Sequence, residues 1–211
     1  MYVSRRHVVS IGLLFLAASF LGRQASAADR PALVCFGDSI TAGNGLQTGE
    51  ANPDDLQQKL DARGYHYKVI NQGTSGATTK DAVADLRSIL QLHPEIVIVE
   101  FGGNDGLRGL PTAQTYKNLD TVLTAFENAH IKILIAGITL PPDYGPDYIH
   151  SFEKVFSDLA AKYHAVFIPM IYKDLIHQPG TIQQDGIHPT AKGSEILADT
   201  MFAALKPLLH K

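Results

Sequence analysis

The clearest indication of the fold is the segment Leu33-Val34-Cys35-Phe36-Gly37-Asp38-Ser39-Ile40. Four apolar residues in a row, followed by a tight Gly-Asp turn, are typical of a strand that is buried on both faces and leads directly into a helix. Such strands belong to parallel sheets, which are covered by helices on both sides. The turn therefore places Ser39 at the start of a short helix, just beyond the carboxyl end of a strand.

Short β-rich apolar runs alternate with longer amphipathic stretches along the rest of the chain. We predict five strands, at about 32–36, 67–71, 96–101, 132–138 and 165–169. We predict helices at about 53–63, 79–92, 112–129 and 146–163, and a closing helix over 190–209 that packs on the sheet through a face near 196, 197, 200, 201, 204 and 208. This order of elements predicts a flavodoxin-like, three-layer α/β/α sandwich with a five-stranded parallel sheet in the order 2-1-3-4-5.

The first 27 residues have the layout of a cleavable signal peptide. Arg5-Arg6 precede an apolar stretch from Ile11 to Leu21, and Ala25-Ser26-Ala27 offers the small residues of a cleavage site. The apolar stretch is shorter than the roughly 20 residues that span a membrane, so a retained anchor is the less favoured alternative. We predict a signal peptide over 1–27, one domain over 28–211 and a periplasmic or secreted protein.

The predicted mature chain is acidic. Without the three arginines that precede Ala28 it has 15 basic and 21 acidic residues, a balance that argues against nucleic acid as a partner. The single cysteine, Cys35, cannot form an internal disulfide, and its place in an apolar strand predicts a buried structural residue rather than a nucleophile. A monomer is the default expectation.

Ser39, Asp185 and His188 supply the groups needed for nucleophilic acyl transfer. A serine hydroxyl requires an imidazole to take its proton, and that imidazole requires an acceptor on its other nitrogen. Asp185 stands three residues before His188 and can provide this acceptor locally. Taken alone, Ser39 could also be a helix N-cap, and His188 could be a metal ligand, although no further Cys/His/Asp cluster completes a zinc spacing.

Two glycine-containing fragments follow the next two strands. In Asn71-Gln72-Gly73-Thr74-Ser75-Gly76, the N–H of Gly73 could donate to an oxyanion, although a simple turn between strand and helix is equally compatible. In Phe101-Gly102-Gly103-Asn104-Asp105, the Asn104 amide could do the same, and a turn asparagine is its alternative. We interpret Asp38 and Asp105 as turn or helix-start residues.

Several common signatures are absent from the sequence. Ser39 does not lie in a Gly-x-Ser-x-Gly elbow, and there is no phosphate-binding loop or glycine-spaced dinucleotide fingerprint. These absences argue against an ordinary α/β-hydrolase elbow and against a nucleotide-dependent enzyme.

The stretches around Ser39, Gly73, Asn104 and His188 together resemble the SGNH (GDSL-type) hydrolase family. The family is named for serine, glycine, asparagine and histidine, and these would be Ser39, Gly73, Asn104 and His188 here. The resemblance runs in order from Phe36 to the closing helix, and the stretches 102–111 and 140–146 look like the small periplasmic subgroup called thioesterase I, arylesterase or lysophospholipase. It implies a broad esterase and thioesterase with a flavodoxin-like fold. The chain departs from its relatives at Asn52-Pro53, where they usually carry an aromatic residue, and this leaves acyl preference open.

The mechanism we expect is two-step hydrolysis without a cofactor or a metal. Ser39 attacks the acyl carbonyl, His188 transfers the proton, and Asp185 orients the imidazole. The backbone N–H groups of Ser39 and Gly73, together with the Asn104 amide, hold the oxyanion.

The substrate prediction depends on the apolar residues near the site. An apolar acyl groove beside the site would be lined by Leu107, Leu110, Pro141, Tyr144 and Ile187, although each of these could instead be loop packing. The expected partner is a small acyl ester or thioester, such as an aryl ester or a lysophospholipid, with no stable insertion into a membrane. A carbohydrate O-acetylesterase with the same triad is the alternative enzyme, and a non-catalytic flavodoxin-like binding module is the alternative of another class.

Overall fold

The computed structural model describes residues 30–211, so the predicted signal peptide lies outside the described residues. The chain runs in the following order: β1 (Ala32–Gly37), α1 (Ser39–Ala42), α2 (Asn52–Ala62), β2 (Lys68–Gly73), α3 (Thr79–Leu90), β3 (Pro94–Glu100), α4 (Gly103–Leu107), α5 (Thr112–Asn128), β4 (Lys132–Ala136), a 3-10 turn (Pro142–Tyr144), α6 (Pro146–Lys162), β5 (Val166–Ile168) and α7 (Ala191–Leu205).

The five strands form one parallel sheet in the order β2-β1-β3-β4-β5, which confirms the predicted fold and strand order. β1 lies inside the sheet, with Cys35 opposite Asn71 of β2 and Ile98 of β3. β4 and β5 end two and one residues earlier than predicted. Just beyond β4, the Gly137 N–H still donates to the Ile168 carbonyl of β5.

The two faces of the sheet are covered by different helices. Alternate residues of β1, such as Val34 and Leu33, point to opposite faces, as the period of a strand requires. One face packs against α3, α5 and α6, and the other packs against α2 and α7. Cys35 is buried on the second face, as predicted, and burial raises the pKa of its thiol.

The closing helix is shorter than predicted and is rotated slightly. Thr190 caps its N-terminus by accepting a hydrogen bond from the Gly193 N–H, and the helix ends at Leu205. Its buried stripe includes Leu197, Met201 and Leu205, whereas four members of the predicted face are only half-buried, at 196, 200, 204 and 208. No helix within residues 30–211 is both long enough and apolar enough to cross a bilayer.

The carboxyl ends of the strands carry the polar loops. α1 follows β1, a turn over residues 74–78 follows β2, and α4 follows β3. Ligand sites of open α/β sheets lie at this edge, and the loop that precedes α7 reaches the same edge.

Candidate active site

Ser39, His188 and Asp185 form one chain of hydrogen bonds. Nε2 of His188 lies 2.8 Å from Oγ of Ser39, and Nδ1 of His188 lies 2.7 Å from Oδ2 of Asp185. With the proton on Nδ1, the imidazole donates to Asp185 and accepts the Ser39 hydroxyl proton at Nε2. The structure therefore brings together the three residues that the sequence singled out for acyl transfer.

The loop that carries Asp185 and His188 is shaped by Asp185 itself. Oδ1 of Asp185 accepts the backbone N–H groups of Ile187 at 2.9 Å and His188 at 3.0 Å. Gly186 adopts a left-handed conformation with φ +74°, which favours glycine in this tight turn. The hydrogen bonds from His188 and from these backbone groups lower the pKa of Asp185 to about 2, so it is ionised at neutral pH.

Two side chains hold this loop against the rest of the site. The Tyr172 hydroxyl donates to the Ile187 carbonyl at 2.9 Å. The Gln183 amide donates to the carbonyls of Pro189 and Asn44, both at 2.8 Å. Because Asn44 lies just after α1, Gln183 links the histidine loop directly to the serine segment.

Ser39 is the first residue of α1, and its side chain is almost buried, at 9% exposure. Asp38 caps this helix, because its Oδ1 accepts the Ile40 N–H at 3.0 Å. The Asp38 carboxylate also accepts a hydrogen bond from Asn104, so Asp38 does more than shape the turn. The N–H of Ser39 has no acceptor within the short helix and is available to a ligand.

Asn104 lies in α4, beside the serine. Its Nδ2 lies 3.0 Å from the Ala77 carbonyl and 3.2 Å from Oδ2 of Asp38. The amide lines the cavity in front of Ser39, where the sequence predicted it. The neighbouring Asp105 is buried and accepts hydrogen bonds from the N–H and hydroxyl of Thr79 at the start of α3, a structural role in line with its interpretation as a turn or helix-start residue.

The predicted contribution of Gly73 to an oxyanion hole is wrong. β2 continues through Gly73, and the Gly73 N–H is already donated to Oδ1 of Asn71 at 2.9 Å. A Cβ at this position would lie 2.6 Å from Cα of Ala42, so the glycine is required for the packing of α1.

Gly76, three residues further along the same fragment, lies where the donor was expected. It lines the cavity in front of Ser39, it has φ +80°, and among residues 30–211 its N–H has no protein acceptor. The fragment 71–76 contains both glycines, and the choice of Gly76 over Gly73 as the donor depends on the fact that β2 extends to Gly73.

The space in front of Ser39 consists of two connected parts. The first, of about 360 Å³, is lined by the triad serine and histidine, Asn104, Ser75 and Gly76. The second, of about 440 Å³, is mainly apolar, and the lining that both parts share consists of Gly103, Leu107, Ile138 and Ile187. An ester bound at Ser39 therefore has an apolar groove beside it.

Three of the five predicted groove residues line this groove, namely Leu107, Pro141 and Ile187. Leu110 and Tyr144 are not among the residues that line it. The Tyr144 hydroxyl donates to the Leu107 carbonyl and the Tyr148 hydroxyl to the Leu110 carbonyl, so these aromatic residues support the loop from outside the groove. Sequence reasoning missed the groove residues that come from other loops, which are Ile138, Met170, Tyr172 and Ile176.

The site contains no recognisable metal-binding arrangement. Within the described part of the chain, no three His, Cys, Asp or Glu side chains converge in a way that could hold a metal ion. The groups present in the site are those of acyl transfer.

The chain is similar to known acyl hydrolases over nearly its whole length. The model of the GDSL-like lipase/acylhydrolase family matches residues 35–196. Esterase TesA of Pseudomonas aeruginosa is 38% identical over 195 residues, which cover 92% of this chain and 96% of that protein. Thioesterase 1/protease 1/lysophospholipase L1 of Escherichia coli K12 is 34% identical over 199 residues, which cover 94% of this chain and 93% of that protein.

The likeness extends to three dimensions. The crystal structure of TesA matches with a TM-score of 0.81 at 38% identity, over 84% of this chain and 99% of that one. The family match, the shared fold and the serine-histidine-aspartate geometry lead to one conclusion. The chain belongs to the GDSL-like lipase/acylhydrolase family and is an ester hydrolase.

Proposed function

We propose that this enzyme hydrolyses carboxylic esters and thioesters of broad structure through an acyl-enzyme on Ser39. The observation that carries the proposal is the hydrogen-bonded chain from Ser39 to His188 to Asp185, which opens into a cavity with an apolar groove beside it. The relatives named esterase and thioesterase support the same chemistry.

The reaction proceeds in two steps. His188 accepts the Ser39 proton as the hydroxyl attacks the acyl carbonyl, and returns that proton to the leaving alcohol or thiol. Water then attacks the acyl-enzyme, with His188 again as the base. Asp185 keeps the imidazole in the tautomer whose Nε2 is free to accept, and it stabilises the imidazolium that forms.

The tetrahedral oxyanion is stabilised by three donors: the backbone N–H groups of Ser39 and Gly76 and the amide of Asn104. The first two have no protein acceptor within residues 30–211. We infer that the Asn104 hydrogen that points to Asp38 is shared with the oxyanion in a bifurcated bond. Donors of this kind act on the transition state more than on the bound ester.

The apolar groove favours acyl chains over sugar acetates. Each buried methylene stabilises binding by about 0.8 kcal/mol, which corresponds to about a fourfold gain in kcat/KM. We therefore expect kcat/KM for p-nitrophenyl esters to rise about fourfold per methylene from acetate upward, until the groove is filled. This series is the experiment that tests the substrate proposal.

Ile176 allows a variant that acts on the groove alone, because it is 49% exposed at the groove and does not line the cavity in front of Ser39. Ile176→Asp should lower kcat/KM for long-chain esters and leave the acetate rate unchanged, so acetate serves as the internal control. An optimum at acetate in the parent enzyme would favour a carbohydrate O-acetylesterase. An absence of hydrolysis of every ester would favour a non-catalytic binding module.

The enzyme is proposed to act in the periplasm, after export directed by residues 1–27. Support comes from the layout of that segment, with its arginine pair, apolar stretch and Ala25-Ser26-Ala27 ending. When the full chain is expressed in a Gram-negative host, we expect the protein in the periplasmic fraction, with Ala28 as its first residue by N-terminal sequencing. A full-length protein that stays in the cytoplasm would contradict the proposal. Because one chain supplies the complete site, a monomer is sufficient for activity.

A further inference from the structure

A buried pair of carboxyl groups lies next to Ser39, outside the triad. Asp38 is 2% exposed and Glu100, the last residue of β3, is 1% exposed. Within residues 30–211 no lysine or arginine forms an ion pair with either group. Two buried acids without a cation are costly, so the position of this pair beside the nucleophile requires an explanation.

The surrounding chain is built to admit the Glu100 side chain. Oε2 of Glu100 accepts the Thr41 hydroxyl at 2.8 Å, and the Asp38 N–H donates to the Glu100 carbonyl at 3.2 Å. A Cβ on Gly37 would lie 2.8 Å from Oε2 of Glu100. The glycine that precedes Asp38 is thus the residue that leaves room for this carboxyl group.

The two buried carboxyl groups lie close together, because Gly37 and Glu100 are paired residues of β1 and β3 and the Asp38 N–H donates to the Glu100 carbonyl. Two adjacent buried carboxyl groups do not both ionise, because desolvation and their mutual repulsion disfavour the second charge. Burial raises the pKa of both groups, and that of Glu100 lies well above its usual range. Asp38 accepts hydrogen bonds from the Ile40 N–H and the Asn104 amide, which favour its charged form, so Glu100 is the member of the pair that burial favours in the protonated form.

Asp38 connects the two halves of the reaction centre. Its Oδ1 accepts the Ile40 N–H, which holds the start of the helix that carries Ser39. Its Oδ2 accepts the Asn104 amide at 3.2 Å. A shift of this one carboxylate would displace both the nucleophile and an oxyanion donor.

We propose that Glu100 is a positioning residue, which in its protonated form donates a hydrogen bond to Asp38 and thereby holds Ser39 and the Asn104 amide in place for the reaction. The inference rests on the proposed acyl-enzyme mechanism. The Glu100 proton also draws negative charge from Asp38. If Asp38 received no hydrogen bond from Glu100, its full negative charge would bind the Asn104 hydrogen more strongly. The Asn104 amide would then donate less strongly to the oxyanion.

Three variants test the role of the proton. Glu100→Gln keeps a neutral donor of the same length, and its kcat should stay within about threefold of the parent value. Glu100→Met has a similar shape but no donor, and its kcat should fall about tenfold or more with KM changed less than about twofold. Asn104→Ala serves as the reference, since loss of an oxyanion donor costs about 10²- to 10³-fold in kcat. Glu95→Met is the matched control, because Glu95 lies on the same strand at the end away from the site.

Infrared spectroscopy tests the proton independently of activity. At pH 8 ordinary carboxyl groups are ionised, so a carbonyl band of a protonated carboxylic acid that disappears in Glu100→Gln identifies Glu100 as its source. The other titratable groups that face the pair, Cys35, Tyr172 and His188, do not give such a band. This readout also serves if Glu100→Met fails to fold.

The pH dependence of stability gives a second independent readout. The folded protein keeps the Glu100 proton at pH values at which the unfolded chain has released it, so this group makes the folded state less stable as pH rises above about 4.3. The free energy of urea unfolding of Glu100→Gln, relative to the parent, should therefore increase from pH 5 to pH 8.

The outcomes separate this inference from the proposed function. A parent enzyme that hydrolyses esters, with Glu100→Met equal to it in kcat or with no carboxylic acid band at pH 8, would overturn the role of Glu100 and leave the acyl-enzyme mechanism standing. Equal losses in Glu100→Gln and Glu100→Met would overturn it too, because a neutral donor would then be no better than none. Failure of the mechanism would appear instead as ester hydrolysis that survives in Ser39→Ala.

Discussion

Replacing Ser39 by alanine is expected to lower kcat for ester hydrolysis about 10⁶-fold, to the level that binding and the oxyanion donors alone provide. The substitution removes the atom that attacks the acyl carbonyl, and the 2.8 Å contact with His188 disappears with it. The fold should be preserved, because alanine fits the first turn of α1 and keeps the backbone N–H. Initial rates on p-nitrophenyl butyrate, with circular dichroism as the check on folding, measure the effect.

A double-mutant cycle makes the test sharper. Ser39→Ala, His188→Ala and the combined variant should show nearly equal losses, because the members of a triad act as a unit. Ser75→Ala is the matched control, since Ser75 lines the same cavity and its hydroxyl contacts only Asn44 at 3.3 Å. Losses that add in free energy, or an effect of Ser75→Ala as large as that of Ser39→Ala, would contradict the assignment of the nucleophile.

Replacing Asp185 by asparagine is expected to lower kcat about 10⁴-fold. The side-chain carbonyl oxygen of the introduced asparagine can still accept the two backbone N–H groups that Oδ1 accepts now, so the shape of the loop should survive. The amide nitrogen would take the place of Oδ2 and would donate to Nδ1 of His188. The proton of the imidazole would then move to Nε2, where it blocks the transfer from Ser39.

The control for this variant is Asp174→Asn, an exposed aspartate in the same region of the chain that does not contact His188.

The lowered pKa of Asp185 has a small effect on stability as well. Its contribution is present above the unfolded pKa of about 3.9 and is lost as pH falls toward 2, and solvent screening of this side chain, which is 43% exposed, keeps it small. Urea unfolding at pH 7 separates this effect from catalysis. A kcat within tenfold of the parent would mean that His188 is oriented without Asp185.

The sequence predicted the fold well because each strand carries its own signal. β1 and β3 are continuous apolar runs, and such runs fit only strands covered on both faces. The alternation with amphipathic helices then leaves few possible topologies. The convergence of Ser39, Asp185 and His188 was predictable for a related reason: Ser39 directly follows β1, and Asp185 and His188 share one short loop.

The parts that were predicted wrongly depend on contacts that a local pattern does not contain. The choice between Gly73 and Gly76 required the end of β2, and strand ends are set by pairing with β1 rather than by the residues themselves. Leu110 and Tyr144 have the character of groove residues, but neither lines the groove, and the Tyr144 hydroxyl is used instead in a hydrogen bond to the Leu107 carbonyl. In the sequence, Glu100 is one polar residue at the end of an apolar strand, and its role emerges only when Asp38 is brought beside it.

The bond from Gln183 to the Asn44 carbonyl joins segments that the ribosome makes far apart in time. A nascent or partly translocated chain that has not yet released residues 181–205 has a serine without a base. Catalysis therefore has to wait until the loop that carries His188 has docked against the serine segment.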